Sequence, residues 1–201
     1  MSQPTNIYRA KRSVDNPYKS RSTRRQPGNV PYLVDNLWAW TRPEGYPDRR
    51  QSAYASPTPE QAKASALEKD PTAYRVAFQG DYTLAQLGTE YPDAKHHPNC
   101  RKLKKEVRKA LDGNEGHFSW ATRPAADKAP AGRLYYPCLT AEEVEDVFQS
   151  VDVLRAHRDA IRDAVTFWDD VTLIEGDSLA NDHGELFFTY PGGYTLDPIN
   201  A

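Results

Sequence analysis

Three short segments of this 201-residue chain carry side chains whose types suit work on a ligand. Ile7-Tyr8-Arg9-Ala10 offers a guanidinium in a strand-like run. Gln51 to Pro59 is an apolar-aromatic strand that breaks into Ser56-Pro57-Thr58 and runs straight into a helix. Small hydroxyls at such a junction place side-chain oxygens and backbone amides where they converge on a ligand. Glu185 opens a late strand after Asn181-Asp182-His183-Gly184. An Arg, a Ser/Thr turn and a Glu on separate strands meet in one cleft if the sheet folds back on itself. Singly, each has a plainer reading: Arg9 as a solvated cation, Ser56 and Thr58 as a turn and an N-cap, and Glu185 as an edge charge that discourages strand pairing. Arg49-Arg50, just before the middle strand, reads first as a solvated pair, with phosphate contact as the alternative.

The elements that must position these residues follow from periodicity. Leu33, Leu37 and Trp40 stand at helical spacing, and Arg42-Pro43-Glu44-Gly45 stops that helix. Ser52 to Ala55 reads as a strand; Thr58 as N-cap, Pro59 at the first helical position and Gln61 three residues on predict a helix over 59–69. Ala73 to Phe78 alternates as a strand. Asn99 to Leu111 puts Leu103, Val107, Ala110 and Leu111 on one side and cations around the other, a basic amphipathic helix whose default role is solvated surface and whose alternative is tracking nucleic acid. Residues 121–133, rich in Pro, Ala and Gly, read as a loop. Thr140 and Glu143 form a capping box for a long helical region with a break expected near Asp152. Val171 to Ile174, Glu185 to Tyr190 and Tyr194 to Leu196 read as strands, while residues 11–29 form a long loop. Strands at both ends with helices between predict an α+β chain, most economically one domain over 1–201.

Composition narrows the class. With 38% hydrophobic and 27% charged residues, the chain can bury a core and is not of the disordered type. No long apolar run or charged leader is present, which predicts a soluble protein with no membrane partner, cytoplasmic when made. Two cysteines outside any Cys-x-x-Cys pair suit a reducing compartment. Net charge is −2, yet residues 1–50 carry ten Lys or Arg against four acids and residues 139–201 carry three against fourteen. A basic face for an anionic ligand, or for an acidic face of the same chain, is therefore expected. His96, His97 and Cys100 lack a fourth ligand and match no standard zinc spacing, so no metal is expected.

Tyr8-Arg9, Tyr54-Ala55-Ser56-Pro57-Thr58 and Gly184-Glu185, in that order, resemble the motifs of ADP-ribosyltransferases of the Arg-Ser-Glu type. In that family an early strand carries an Arg, a middle strand ends aromatic-x-Ser-x-[Ser/Thr], and a late strand carries the catalytic Glu. The resemblance implies a split, folded antiparallel-rich sheet flanked by helices, NAD as substrate, release of nicotinamide and no metal. It implies that Arg9 anchors NAD, that Tyr54, Ser56, Thr58 and Arg50 line the nucleotide site, and that Glu185 is catalytic. The residue types suit those roles. A guanidinium forks onto pyrophosphate, hydroxyls hold the nicotinamide ribose, and a carboxylate stabilises the positive charge left on the ribose C1. Trp38, Trp40 and Tyr54 offer stacking faces for nicotinamide or adenine, with core packing the default for the two tryptophans.

His183 stands where many protein-modifying members carry Glu or Gln, which leaves the acceptor open among protein side chain, nucleic acid and water. Compact stand-alone members are often bacterial toxins or phage proteins, so the resemblance also implies action in a host-cell cytoplasm. Two alternatives stay open. A glycohydrolase of the RES toxin type shares the Tyr-Arg strand and the Tyr-x-Ser segment, and would use Glu68 or Glu60. A non-enzymatic module would bind nucleic acid or an acidic partner through the basic amino-terminal half.

Overall fold

In a computed structural model of the chain, which describes residues 6–25, 28–112 and 130–199, the protein mixes antiparallel sheets and helices. Contacts gather it into two compact units. A sheet unit comprises Met1–Arg24, Glu44–Ala94 and Asp169–Ala201; a helical unit comprises Arg25–Pro43 and Lys95–Trp168.

The sheet unit holds seven strands: β1 (Tyr8–Lys11), β2 (Ala53–Ala55), β3 (Thr72–Phe78), β4 (Thr83–Leu87), β5 (Val171–Leu173), β6 (Leu186–Thr189) and β7 (Tyr194–Pro198). They form a three-stranded sheet in the order β1-β3-β7 and a four-stranded sheet in the order β2-β6-β4-β5, antiparallel throughout. One pair of residues, Tyr8 and Ser56, bridges β1 to the end of β2. Inward residues of both sheets build one core: Val76, Phe78, Tyr194 and Leu196 from the first, Ala53, Ala55, Leu84, Leu186 and Phe188 from the second, and Ile7 at the bridge. Alternation along β2 and β6 follows from this, because Ala53, Ala55, Leu186 and Phe188 must face the core and Tyr54 and Phe187 the other side.

Strand β4 is absent from the sequence reading. Four of its five residues are buried, so it lacks the alternation that marks a half-exposed strand. Helix α1 (Tyr32–Trp40) falls where periodicity puts it. Helix α2 (Pro59–Ala64) starts at its Thr58 cap but stops five residues short of the expected end. Beyond it, Glu68 turns back to β1, accepting from Lys11 Nζ at 3.0 Å and from the Arg12 backbone N–H, an engagement that a continuing helix gives up. The stretch 12–25 is irregular as expected, yet it is tied down. Asn16 exchanges hydrogen bonds with the Leu196 backbone, and Tyr18 pairs with Tyr194 and stacks on its ring at 4.8 Å.

Among the described residues, the helical unit holds α1, α3 (Asn99–Asp112), α4 (Ala141–Ser150) and α5 (Asp152–Asp163). The Thr140–Glu143 capping box is made in both directions, and Val151 takes an extended conformation that separates α4 from α5, one residue before the expected break. Of the expected loop 121–133, residues 121–129 lie outside the described residues; 130–132 are helical and lead into a 3-10 turn at Arg133–Tyr135. Trp38 stacks on Phe167 and Trp40 on Phe148, so both tryptophans are core residues. Asn99 is a buried polar hub: its Oδ1 accepts from Trp38 Nε1 and the Thr166 and Phe167 amides, and its Nδ2 donates to the Ala164 carbonyl. His97 is buried between the Trp38 and Phe167 rings, with its Nδ1 accepting from the Asn99 amide.

A salt link in this unit yields a pH prediction. Glu145 accepts from Arg158 Nε at 2.8 Å and from Trp40 Nε1 at 3.0 Å. The Arg158 hydrogen bonds, partly opposed by burial and helped by Gln149 and Trp40, hold its carboxyl below the usual value. A depressed folded-state pKa stabilises the fold above the unfolded value, about 4.3, and that contribution is lost as pH falls through the folded value. Glu145→Gln is therefore expected to melt at lower temperature than the parent at neutral pH, with the gap closing on acidification. A gap that persists unchanged below about pH 3 rules the linkage out.

Candidate functional site

The turn before β2 sets up the site. The Asp48 carbonyl accepts from the Gln51 amide and Ser52 Oγ, and its Oδ1 accepts from the Arg50 amide at 2.9 Å. This closes a tight turn that delivers Arg49 to the outer face of β2. Tyr54 Oη donates to the Arg49 carbonyl at 2.7 Å, and the Arg49 guanidinium lies over the Tyr54 and Phe187 rings, 5.5 Å from each centroid. Arg49 and Arg50 are only 6% and 3% exposed, so the expectation of a solvated pair is corrected. The reason is local: two aromatic faces and the Asp48 turn give the first of them a cationic seat that sequence spacing does not reveal.

Glu185 reaches that seat. In the β2–β6 ladder Ala53 pairs with Phe188, Tyr54 with Phe187 and Ala55 with Leu186; one further step brings Ser56 opposite Glu185. Both residues lie on the Tyr54–Phe187 face, and Arg49 Nη2 stands 3.7 Å from Glu185 Oε2. On its other edge Ser56 exchanges backbone hydrogen bonds with Tyr8 at 2.9 and 2.8 Å. Tyr8, Ser56 and Glu185 thus form one row across three strands.

The approach to Glu185 is held by amides. Buried Gln86 on β4 accepts at Oε1 from the Ala180 and Asn181 backbone N–H groups, and donates from Nε2 to the Asn181 and Gly184 carbonyls. Asn181 Oδ1 accepts from the His183 and Gly184 amides, while its Nδ2 donates to the Leu87 carbonyl. Gln61 on α2 donates to the Asp182 carbonyl at 3.1 Å. Gly184 passes so close to β4 that a Cβ there would stand 1.7 Å from the Leu87 carbonyl oxygen. The Glu185 carbonyl then accepts from the Leu87 amide at 2.9 Å. Neither Gln86 nor Asn181 is visible as a functional residue in the sequence. Only the Asn-Asp-His-Gly run hints at a shaped turn before the strand.

The remaining expected site residues are placed as follows. Arg9 lies on the face of β1 that carries Ile7, opposite in pleat to Tyr8, and donates to the Tyr194 hydroxyl with its guanidinium 5.5 Å from that ring. Tyr8 rather than Arg9 thus shares the bridge to Ser56, and Arg49 is a cation beside Glu185. Thr58 Oγ1 accepts from the Gln61 amide at 3.3 Å as the cap of α2. Arg50 is buried behind the Asp48 turn. Glu60 is exposed in the first turn of α2. Glu68 has its carboxyl held below the usual value by the Arg12 backbone hydrogen bond and by Lys11.

No protein-family model, curated protein or solved structure matches this chain. Its own geometry therefore carries the functional reading. Among the described residues, no group of three or more His, Cys, Asp and Glu is arranged to hold a metal, and no helix is long and apolar enough to cross a membrane. What the face can do is bind an anion and stabilise a cation in adjacent places. Arg49 offers a charge-assisted fork over aromatic rings, and Glu185 offers a carboxylate 3.7 Å from it.

Proposed function

We propose that this protein transfers the ADP-ribosyl group of NAD to a macromolecular acceptor and releases nicotinamide. The observation that carries the reading is the Ser56–Glu185 row with Arg49 at 3.7 Å. It puts a carboxylate and a guanidinium together at the end of the middle strand; the guanidinium is Arg49, from the turn before that strand, in place of the early-strand Arg9 of the family's motif order. Two antiparallel sheets sharing one core, joined where β1 meets β2, support the split-sheet architecture of that family.

In this mechanism the bond between nicotinamide nitrogen and ribose C1 breaks, and nicotinamide leaves with the bonding pair. The carboxylate of Glu185 stabilises the charge that develops on the ribose. The acceptor's lone pair then bonds to C1 and its proton passes to solvent. Ser56 Oγ positions the ribose and the Tyr54 ring supports the nicotinamide. Arg49 turns from Glu185 to the pyrophosphate when NAD enters, in place of Arg9, which is engaged with Tyr194. The proposed setting is that of a toxin or phage protein working in a host cytoplasm.

Incubation of the purified chain with labelled NAD and whole-cell lysate, followed by separate recovery of protein and RNA, tests this. Label in either macromolecular fraction together with free nicotinamide is the expected result. Free nicotinamide with no labelled macromolecule would assign water as the acceptor. No nicotinamide, with or without lysate, overturns the proposal. Arg49→Gln is expected to weaken NAD binding by at least about tenfold, because a charge-assisted bidentate contact is worth about 1.5–3 kcal/mol. Calorimetric titration with NAD reads this, and unchanged affinity removes Arg49 from the phosphate role.

A further inference from the structure

The helical unit carries a cavity of its own. Measuring about 510 Å³, it is lined by Pro31, Tyr32 and Leu33 at the start of α1, by Lys104, Arg108 and Leu111 on α3, and by Tyr135. Its volume is that of a small-molecule site rather than a packing defect. Leu33 and Leu111 are buried and give it an apolar floor. Tyr32 and Tyr135 remain 37% and 48% exposed at its mouth, and the neighbouring Tyr136 is 60% exposed. Three exposed tyrosines on so short a stretch of surface are costly unless something covers them.

The two sides of the cavity are fixed to each other. Asn36, one turn along α1 from Tyr32, is fully buried. Its Nδ2 donates to the Leu134 and Tyr136 carbonyls at 2.9 and 2.7 Å, and its Oδ1 accepts from the Leu139 amide at 3.0 Å. The aromatic edge carrying Tyr135 is thereby locked to α1. Desolvation raises the Tyr135 phenol above its usual pKa and the charge of Arg108, which lines the same cavity, works against that.

Charge then selects the occupant. Helix α3 carries Arg101, Lys102, Lys104, Lys105, Arg108 and Lys109 against two acids, Glu106 and Asp112, while Leu103, Val107, Ala110 and Leu111 face the interior. At 100° per residue the six cations fall within one arc of about 160°. They make one basic face of the helix, and Lys104 and Arg108 on its edge line the cavity. A free mononucleotide uses only Lys104 and Arg108. A polyanion with planar groups uses the whole face.

We propose that this face and cavity bind single-stranded nucleic acid, one base entering the cavity against Tyr32 and Tyr135 and the phosphates following the cations of α3. Stacking on tyrosine accepts any base and requires an unpaired one, so the site prefers single strands to duplex and shows little sequence preference. The inference stands independently of the reading of Glu185, because the readout is binding in the absence of NAD.

Fluorescence anisotropy of the full chain with labelled oligo(dT) of about twelve nucleotides tests the proposal, with a duplex of equal length and polyglutamate as comparators. The single strand is expected to bind most tightly. Tyr32→Ala and Tyr135→Ala are each expected to weaken it by about 5- to 100-fold, as removal of one stacking partner does. Tyr135→Phe retains affinity. Lys104→Gln with Arg108→Gln is expected to lower the slope of log affinity against log salt by about 1.4 for a single strand. Thermal melting confirms that each variant is folded; Tyr32 and Tyr135 are exposed, so little stability rides on them. Duplex or polyglutamate bound as tightly as the single strand, or tyrosine variants that bind like the parent, overturns the proposal, as does the absence of binding. The same measurement on Glu185→Gln separates this site from the proposed catalytic one, since that variant is expected to bind oligo(dT) unchanged.

Discussion

Glu185→Gln is expected to retain NAD and to release nicotinamide about 100-fold more slowly, or worse. Glutamine fills the same space and keeps an acceptor oxygen, but it removes the negative charge facing the ribose C1 as the glycosidic bond breaks. Loss of one electrostatic stabiliser of a developing charge costs about 10² to 10³ in rate. The substitution also removes the carboxylate 3.7 Å from Arg49 Nη2, an attraction that the NAD pyrophosphate then no longer has to displace. The expected signature is therefore a fall in kcat with KM unchanged or lower, read by following free nicotinamide in single-turnover and steady-state assays. Near-normal turnover would remove Glu185 from catalysis. Near-normal turnover together with a dead Glu68→Ala would move the chemistry to the water-accepting alternative. The hold of Lys11 and Arg12 on Glu68 argues against that outcome.

Gly184→Ala is expected to damage the sheet unit severely. The added carbon would meet the Leu87 carbonyl oxygen at 1.7 Å and its carbon at 2.6 Å. Both belong to the backbone of β4, which is paired to β5 and β6 and does not yield as a side-chain tip does. Separating the strands enough to admit the methyl also breaks the Leu87 amide's bond to the Glu185 carbonyl and the Gln86 bond to Gly184. Overpacking alone costs about 1–3 kcal/mol, and each lost buried hydrogen bond adds about 1. A drop of roughly 3–5 kcal/mol in denaturant unfolding is expected, with nicotinamide release lost even where the fold survives. An alanine variant as stable as the parent would contradict the packing described at this strand crossing.

Different parts of this architecture were legible in the sequence to different degrees. Helix α3 and the Thr140–Glu143 cap of α4 are written locally, in 3.6-residue periodicity and a reciprocal hydrogen-bond pair, and both occur where local rules put them. Strand β4 is written in its neighbours, since burial on both faces erases the alternation that would announce it. Helix α2 ends early because Glu68 has a tertiary partner stronger than helix propensity. At the site, Ser56 and Glu185 were readable as types in order, and each stands one residue beyond the last pair of the β2–β6 ladder. Arg49 was not, because a buried cation depends on aromatic rings of two strands that are far apart in sequence. Gln86 and Asn181 were invisible for a similar reason: an amide that organises a turn looks, in sequence, like any polar residue.

The composition of that clamp determines how the chemistry can be interrogated. Gln86, Asn181, Gln61 and the backbone amides they engage gain and lose no proton over the range in which rates are measured, and the neighbouring guanidinium stays charged throughout. The titratable members of the turn are Asp182 and His183, whose Oδ1 and Nδ1 stand 2.8 Å apart. If the proposed activity is found, comparing its pH–rate profile with that of His183→Gln separates the ionisation of this pair from the chemistry at Glu185.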